Sequence, residues 1–162
     1  MLFLGLGDRW RVVVRAKGEW SGARSLRRPR SESRAANKQR LSNLPSLLIG
    51  GLGADLVNGG GDDDLLIAGW TLFDQNIAAL EAISREWSSS RDYQTRILNL
   101  TDGSGSPERL NGLFFLVLGE TVFDDEEVDR LIGASDIDWF FLDLEDDIAP
   151  GVMPSEVLNN EL

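Results

Sequence analysis

The chain contains neither cysteine nor histidine. Without thiols there are no disulfides and no thiol nucleophiles. Without imidazole there is no histidine general base and no zinc site of the usual kind. The H-E-x-x-H metalloprotease helix is excluded by the same absence, and neither G-x-S-x-G nor a P-loop occurs. Long apolar runs are also lacking, none approaching the ~18 residues of a membrane span. Met1 to Leu6 is apolar, but Asp8, Arg9 and Arg11 end that run early. A cleavable secretory signal has the opposite order, basic residues first and then a longer apolar stretch. The expectation is export by another route, or a natural start elsewhere. Basic residues are scarce over most of the length. Residues 1–41 hold eleven Lys/Arg against Asp8, Glu19 and Glu32, a balance of +8. Residues 42–162 hold five Arg against 24 Asp/Glu, a balance of −19, and the two sum to −11. An acidic body of this density repels itself unless cations neutralise it. Carboxylates suit hard cations such as calcium and magnesium.

Charge asymmetry of this size marks two segments with different physics. Residues 1–41 contain one plausible strand, Trp10 to Arg15, and are otherwise read as a basic, disordered extension. A basic arm can bind nucleic acid or an acidic surface. No aromatic residues interleave the arginines as stacking platforms would, so an unstructured extension is preferred and no nucleic-acid partner is expected. Between 71 and 100 the chain reads as helical. Thr71 and Asp74 resemble a capping box, and Phe73, Ile77, Leu80, Ile83 and Trp87 recur along one helical face. A second short helix through Arg91 to Leu100 would place Tyr93 and Ile97 together. Both stripes read as core. Residues 101–109 form a loop, 113–118 (LFFLVL) a short buried strand, and the tail after Pro150 has no strong pattern.

Residues 46–69, SLLIGGLGADLVNGGGDDDLLIAG, alternate glycine and aspartate with short apolar triplets. The nonapeptide rule G-G-x-G-x-D-x-U-x, with U a large apolar residue, fits twice in phase. Gly50 to Asn58 matches at Gly50, Gly51, Gly53, Asp55 and Val57. Gly59 to Ile67 matches at Gly59, Gly60, Asp64 and Leu66, with Asp62 in place of the third glycine. Glycines allow positive φ and leave backbone carbonyls unobstructed. Calcium takes about six to eight oxygens from carboxylates and carbonyls, so the aspartate would supply a charged ligand. The apolar U position buries its side chain against the next coil, which a single repeat lacks.

These residues resemble the RTX, or hemolysin-type calcium-binding, repeat family over residues 50–67. The resemblance implies a mixed α/β fold built on a short parallel β-roll of about two coils, with calcium between turns of successive coils. Each coil uses two nonapeptides, so a shared site needs repeats two apart. Asp124 to Ile132 (DDEEVDRLI) and Gly133 to Phe141 (GASDIDWFF) lie on the same frame. Asp129 and Asp138 take the aspartate position and Leu131 and Phe140 the U position, at a constant offset of 74 from Asp55 and Asp64. The expectation is a helical insertion over 68–123, with 50–58 stacked on 124–132, 59–67 stacked on 133–141, and calcium bridging Asp55 to Asp129 and Asp64 to Asp138. Residues 42–148 form this domain, between the basic extension and a tail at 149–162. The series FDxNxAAL from Phe73, Glu86-Trp87, RLNGxFF from Arg109 and the DWFF of 138–141 is similar to the C-terminal ends of large RTX-like surface proteins, over about 46–148.

The candidate metal residues are therefore Gly50, Gly51, Gly53, Asp55, Gly59, Gly60, Asp62, Asp64, Asp129 and Asp138. Asp129 and Asp138 also fit a solvated acidic surface, Asp62 and Asp63 fit ligands or exposed acids, and Asp143, Glu145, Asp146 and Asp147 lack EF-hand spacing and read as a solvated or weak-cation surface. The expected function is calcium binding coupled to folding of a secreted or cell-surface module, with calcium ions as partner and no insertion into membrane. Two other classes stay open. One is a calcium-independent interaction module binding a cell-surface protein or polysaccharide through acids or through Trp139 and Phe140. The other is a fragment of a larger enzyme. Glycoside hydrolysis needs two carboxylates across a cleft, and no spacing here supports it, so the chain itself is not expected to be an enzyme.

Overall fold

The computed structural model describes residues 2–4, 11–14 and 44–159. Ten strands and two helices follow in the order β1 (Leu2–Leu4), β2 (Arg11–Val14), β3 (Ser46–Ile49), β4 (Leu56–Gly60), β5 (Leu65–Ile67), β6 (Trp70–Thr71), α1 (Ile77–Trp87), α2 (Tyr93–Thr101), β7 (Val122–Phe123), β8 (Arg130–Ala134), β9 (Trp139–Phe141) and β10 (Val157–Asn159). One sheet has the order β1-β2-β3-β5-β9-β10, parallel throughout except for β1 against β2. A second ladder pairs β4 with β8 in parallel, and Ile148 adds a bridge to Arg130.

The registers share one arithmetic. Leu47 pairs with Leu65 and Trp139 with Val157, each 18 residues on, and Arg130 bridges to Ile148 at the same step. Leu65 pairs with Trp139 and Leu56 with Arg130, each 74 residues on. The difference, 74 − 18 = 56, is the length of 68–123. This segment leaves and rejoins the sheet through a narrow neck, where β6 pairs antiparallel with β7 and the Trp70 and Phe123 rings stack at 4.5 Å.

Two apolar layers result. Leu48, Leu66 and Phe140 of the large sheet meet Val57 and Leu131 of the second ladder, with Ala149 and Leu158 at the margin. On the other face of the large sheet, Leu47, Ile49, Leu65, Ile67, Trp139 and Phe141 pack against Leu80, Ile83 and Trp87 of α1 and Ile97 and Leu100 of α2. Strands β3, β5 and β9 of the large sheet are covered on both faces and so read as continuous apolar runs, SLLI, LLI and WFF.

Several expectations from sequence need correction. Helix α1 begins at Ile77, because Asn76 Oδ1 caps Ala79 N. Thr71 sits in β6, and its hydroxyl and N–H both donate to Asp74 to close the preceding turn. Ile77 therefore points outward, while Leu80, Ile83 and Trp87 are buried. The stretch 113–118 is not a buried strand: Leu113 is 82% exposed, and Leu118 forms only a single bridge to Val122. Its backbone is held by α2 instead, since Leu116 N donates to Leu100 O and Asn111 Nδ2 donates to Asn99 O and Phe114 O. Trp139 and Phe140 are buried and offer nothing to a surface partner. The tail supplies β10, and the N-terminal segment supplies β1 and β2. The rest of the basic extension lies outside the described residues.

Candidate functional site

The turns between strands fall into two rows. The first comprises 50–55, 124–129 and 142–147, and the second 59–64, 133–138 and 151–156. Each turn ends on an acid at the sixth place of a nonapeptide: Asp55, Asp129 and Asp147 in the first row, Asp64, Asp138 and Glu156 in the second. Five of these acids reach back to the neighbouring strand to accept the backbone N–H of the residue at their own place. Asp129 Oδ1 accepts from Asp55 N at 2.6 Å and Asp147 Oδ1 from Asp129 N at 2.8 Å. Asp64 Oδ1 accepts from Ser46 N at 2.8 Å, Asp138 Oδ1 from Asp64 N at 2.7 Å, and Glu156 Oε1 from Asp138 N at 3.2 Å. The structure thus brings Asp55 to Asp129 and Asp64 to Asp138. What joins each pair here is a carboxyl oxygen accepting a backbone N–H, a bond that strengthens when the acid is ionised.

The glycines and their substitutes follow the same phase. Gly51, Gly53 and Gly60 have positive φ. So do Asp62 in the place of the third glycine, and Ala134 and Asp136 in the copy that has lost both glycines. The turn shape outlasts the residue that makes it easy, at a cost of about 1–2 kcal/mol for each non-glycine residue. Gly59 and Gly133 serve differently. A Cβ at either would collide with Oδ2 of Asp64 or Asp138, the acid of its own turn. Further acids hold turns across coils: Asp62 N donates to Asp136 Oδ2 at 3.0 Å, Ile137 N donates to Asp63 Oδ1 at 3.1 Å, and Gly53 N donates to Asp125 Oδ2.

Asp129 and Asp138 are fully buried. Burial pushes both carboxyls up to about 7; the backbone N–H bonds at Asp55 and Asp64 offset part of this, and neighbouring acids push further. Those neighbours are Asp147, Asp125 and Asp55 around Asp129, and Glu156, Asp63 and Asp136 around Asp138. In each, Oδ1 takes the backbone N–H while Oδ2 is buried without a hydrogen-bond partner. A buried oxygen of this kind costs about 1–3 kcal/mol unless a proton or a cation meets it. Hard-cation chemistry fits the donor set, all of it carboxylate and carbonyl oxygen. Among the described residues no three acids converge as a ready metal cage, so any ion held here draws ligands from backbone carbonyls and water as well.

Asp147 and Glu156 also belong to these rows, a place the glycine-aspartate pattern alone does not assign them. Their signal is phase, each lying nine residues beyond the previous sixth-place acid. Asp147 is buried and accepts from Asp129 N and Asp143 N, which corrects its reading as a solvated acid. Asp62, by contrast, stays half-exposed. No helix among the described residues is long and apolar enough to cross a membrane. No protein-family model, curated protein or solved structure matches the chain.

Proposed function

We propose that the two rows of turns are calcium sites of a short parallel β-roll, and that calcium binding is coupled to folding of a module working outside the cell or on its surface. The observation that carries this is the pair of buried carboxylates, Asp129 and Asp138, each with one oxygen unmet and other acids close by. A divalent cation would meet those oxygens and offset the self-repulsion of the −19 segment. Because its ligands are assembled only in the folded chain, its binding energy becomes folding energy. An affinity near ~10⁻⁴–10⁻³ M, as in extracellular modules, suits weak sites filled outside the cell. The test is calorimetric titration of the full chain with calcium, circular dichroism alongside, magnesium as control, and Asp129→Asn with Asp138→Asn as variant. A saturable, calcium-selective gain of β signal that the variant lacks is the expected result. A metal-free chain already folded, with no heat on addition, would sink it.

A second reading has its own support. Asp64, Asp129, Asp138, Asp147 and Glu156 each already accept a backbone N–H, so the rows can act as structural ladders without metal. In that case the module is a calcium-independent scaffold for a surface partner, and the titration above separates the two.

A further inference from the structure

The two rows differ in what the helices bring to them. In the second row, Arg96 of α2 is buried, and its Nη2 pairs with Asp63 Oδ2. Its Nη1 donates to Trp87 O at 2.7 Å, and its guanidinium lies over the Trp87 ring, 4.7 Å from the centroid. Trp87 Nε1 in turn donates to Asp63 O at 2.9 Å. One coil further on, Tyr93 Oη donates to Asp138 O at 2.7 Å and accepts from Val157 N at 2.9 Å. Both helices thus hold the second row, and one of them brings it a permanent cation.

Among the described residues, turns 124–129 and 142–147 of the first row receive no such cation. Its turns 124–129 and 142–147 carry nine acids, Asp124, Asp125, Glu126, Glu127, Asp129, Asp143, Glu145, Asp146 and Asp147. No ion pair among the described residues reaches any of them. Asp129 Oδ2 is buried there without a hydrogen-bond partner, as Asp138 Oδ2 is in the second row, so the rows differ in the cation beside them and not in the unmet oxygen.

We infer that Arg96 is a built-in counter-ion that takes the place of one divalent cation at the second row, leaving the first row, around Asp129 and Asp147, as the one whose folding depends more strongly on calcium. This rests on the calcium reading above. A guanidinium suits the role because it keeps its charge at any working pH and can be buried against an aromatic face. Its fixed charge beside Asp63 also repels a second cation from that turn.

The test is calorimetry with calcium chloride on the full chain and four variants, with circular dichroism as a second readout. Asp129→Asn with Asp147→Asn should weaken calcium binding at least tenfold. Asp63→Asn should leave the number of ions unchanged and the affinity within about threefold. Arg96→Met should bind at least one ion more than the wild type and need calcium to order the second row, while Arg96→Lys should keep the wild-type count. An Arg96→Met chain with the wild-type count and affinity would overturn the inference while leaving calcium binding intact. Should Arg96→Met fail to fold at any calcium concentration, the other variants decide. Binding that survives the Asp129/Asp147 change, or falls with Asp63→Asn, would equally overturn the inference. A wild type that binds no calcium removes the parent reading as well.

Discussion

The two ladders are built from the same nonapeptide and end in different surroundings. In the large sheet, the seventh and ninth places are Leu47 and Ile49, Leu65 and Ile67, Trp139 and Phe141. All are buried under the helices. In the second ladder the same places hold Leu56 and Asn58, then Arg130 and Ile132, and the sheet's outer side faces solvent. The eighth place is apolar in both and fills the layer between them. The repeat therefore fixes the inner layer and the turns, while the seventh and ninth places decide which face receives the insertion. Leu65 is fully buried and Leu56 is 63% exposed, although both occupy the seventh place of adjacent repeats.

That contrast can be broken by substitution. Trp139→Ala removes the ring packed against Trp87 and Phe141, and should cost about 3–5 kcal/mol in chemical denaturation. Leu65→Ala should cost about 2–5 kcal/mol, whereas Leu56→Ala should stay within about 0.5 kcal/mol; equal losses would show that the two faces are not distinct. Gly59→Ala and Gly133→Ala test the turns rather than the faces. Each would force a methyl against its own turn's carboxylate and should lower the melting temperature by several degrees, while alanine at exposed Gly112 acts only through its positive φ.

A smaller effect separates the rows from the sheets. The carboxyls of Asp129 and Asp138 are raised in the folded chain, so the folded state holds protons that the unfolded state has released. That contribution is complete below about pH 4 and is lost as pH rises through about 7. Without calcium, the protein should be less stable at pH 8 than at pH 5 by roughly 2 kcal/mol, a figure set below the full worth of the shifts because solvent and relaxation screen buried acids. Saturating calcium should flatten this dependence, and thermal melts at both pH values check it. Least of all, Arg85→Ala breaks only the solvent-facing pair with Glu81 and should change stability by less than about 0.5 kcal/mol.

Phase was the most legible feature of this sequence. The offset of 74 between Asp55 and Asp129 in the sequence is also the register at which β4 meets β8 and β5 meets β9. The span 68–123 is where the two helices lie. Less legible was everything that departs from the glycine-rich pattern. Repeats 142–150 and 151–159 hold almost no glycine, so only the spacing of Asp147 and Glu156 announces them. The apolar run at 113–118 looked like a strand because local composition cannot show that Leu100 and Asn111 supply its backbone partners. Arg96 was unreadable for a related reason: its partner Asp63 lies 33 residues away, across the neck of the insertion.

The neck has a consequence for the order of events during synthesis. Residues 46–67 are made early, but the strands they pair with at 130–141 emerge only after the whole insertion. Closing a span of 74 residues instead of 18 costs roughly 1 kcal/mol more in chain entropy. A neck formed first would cut that span short, because pairing Trp70 with Phe123 and Thr71 with Val122 brings the two ends of the insertion together. A chain that forms its neck first meets the remaining repeats as though the intervening 56 residues were not there.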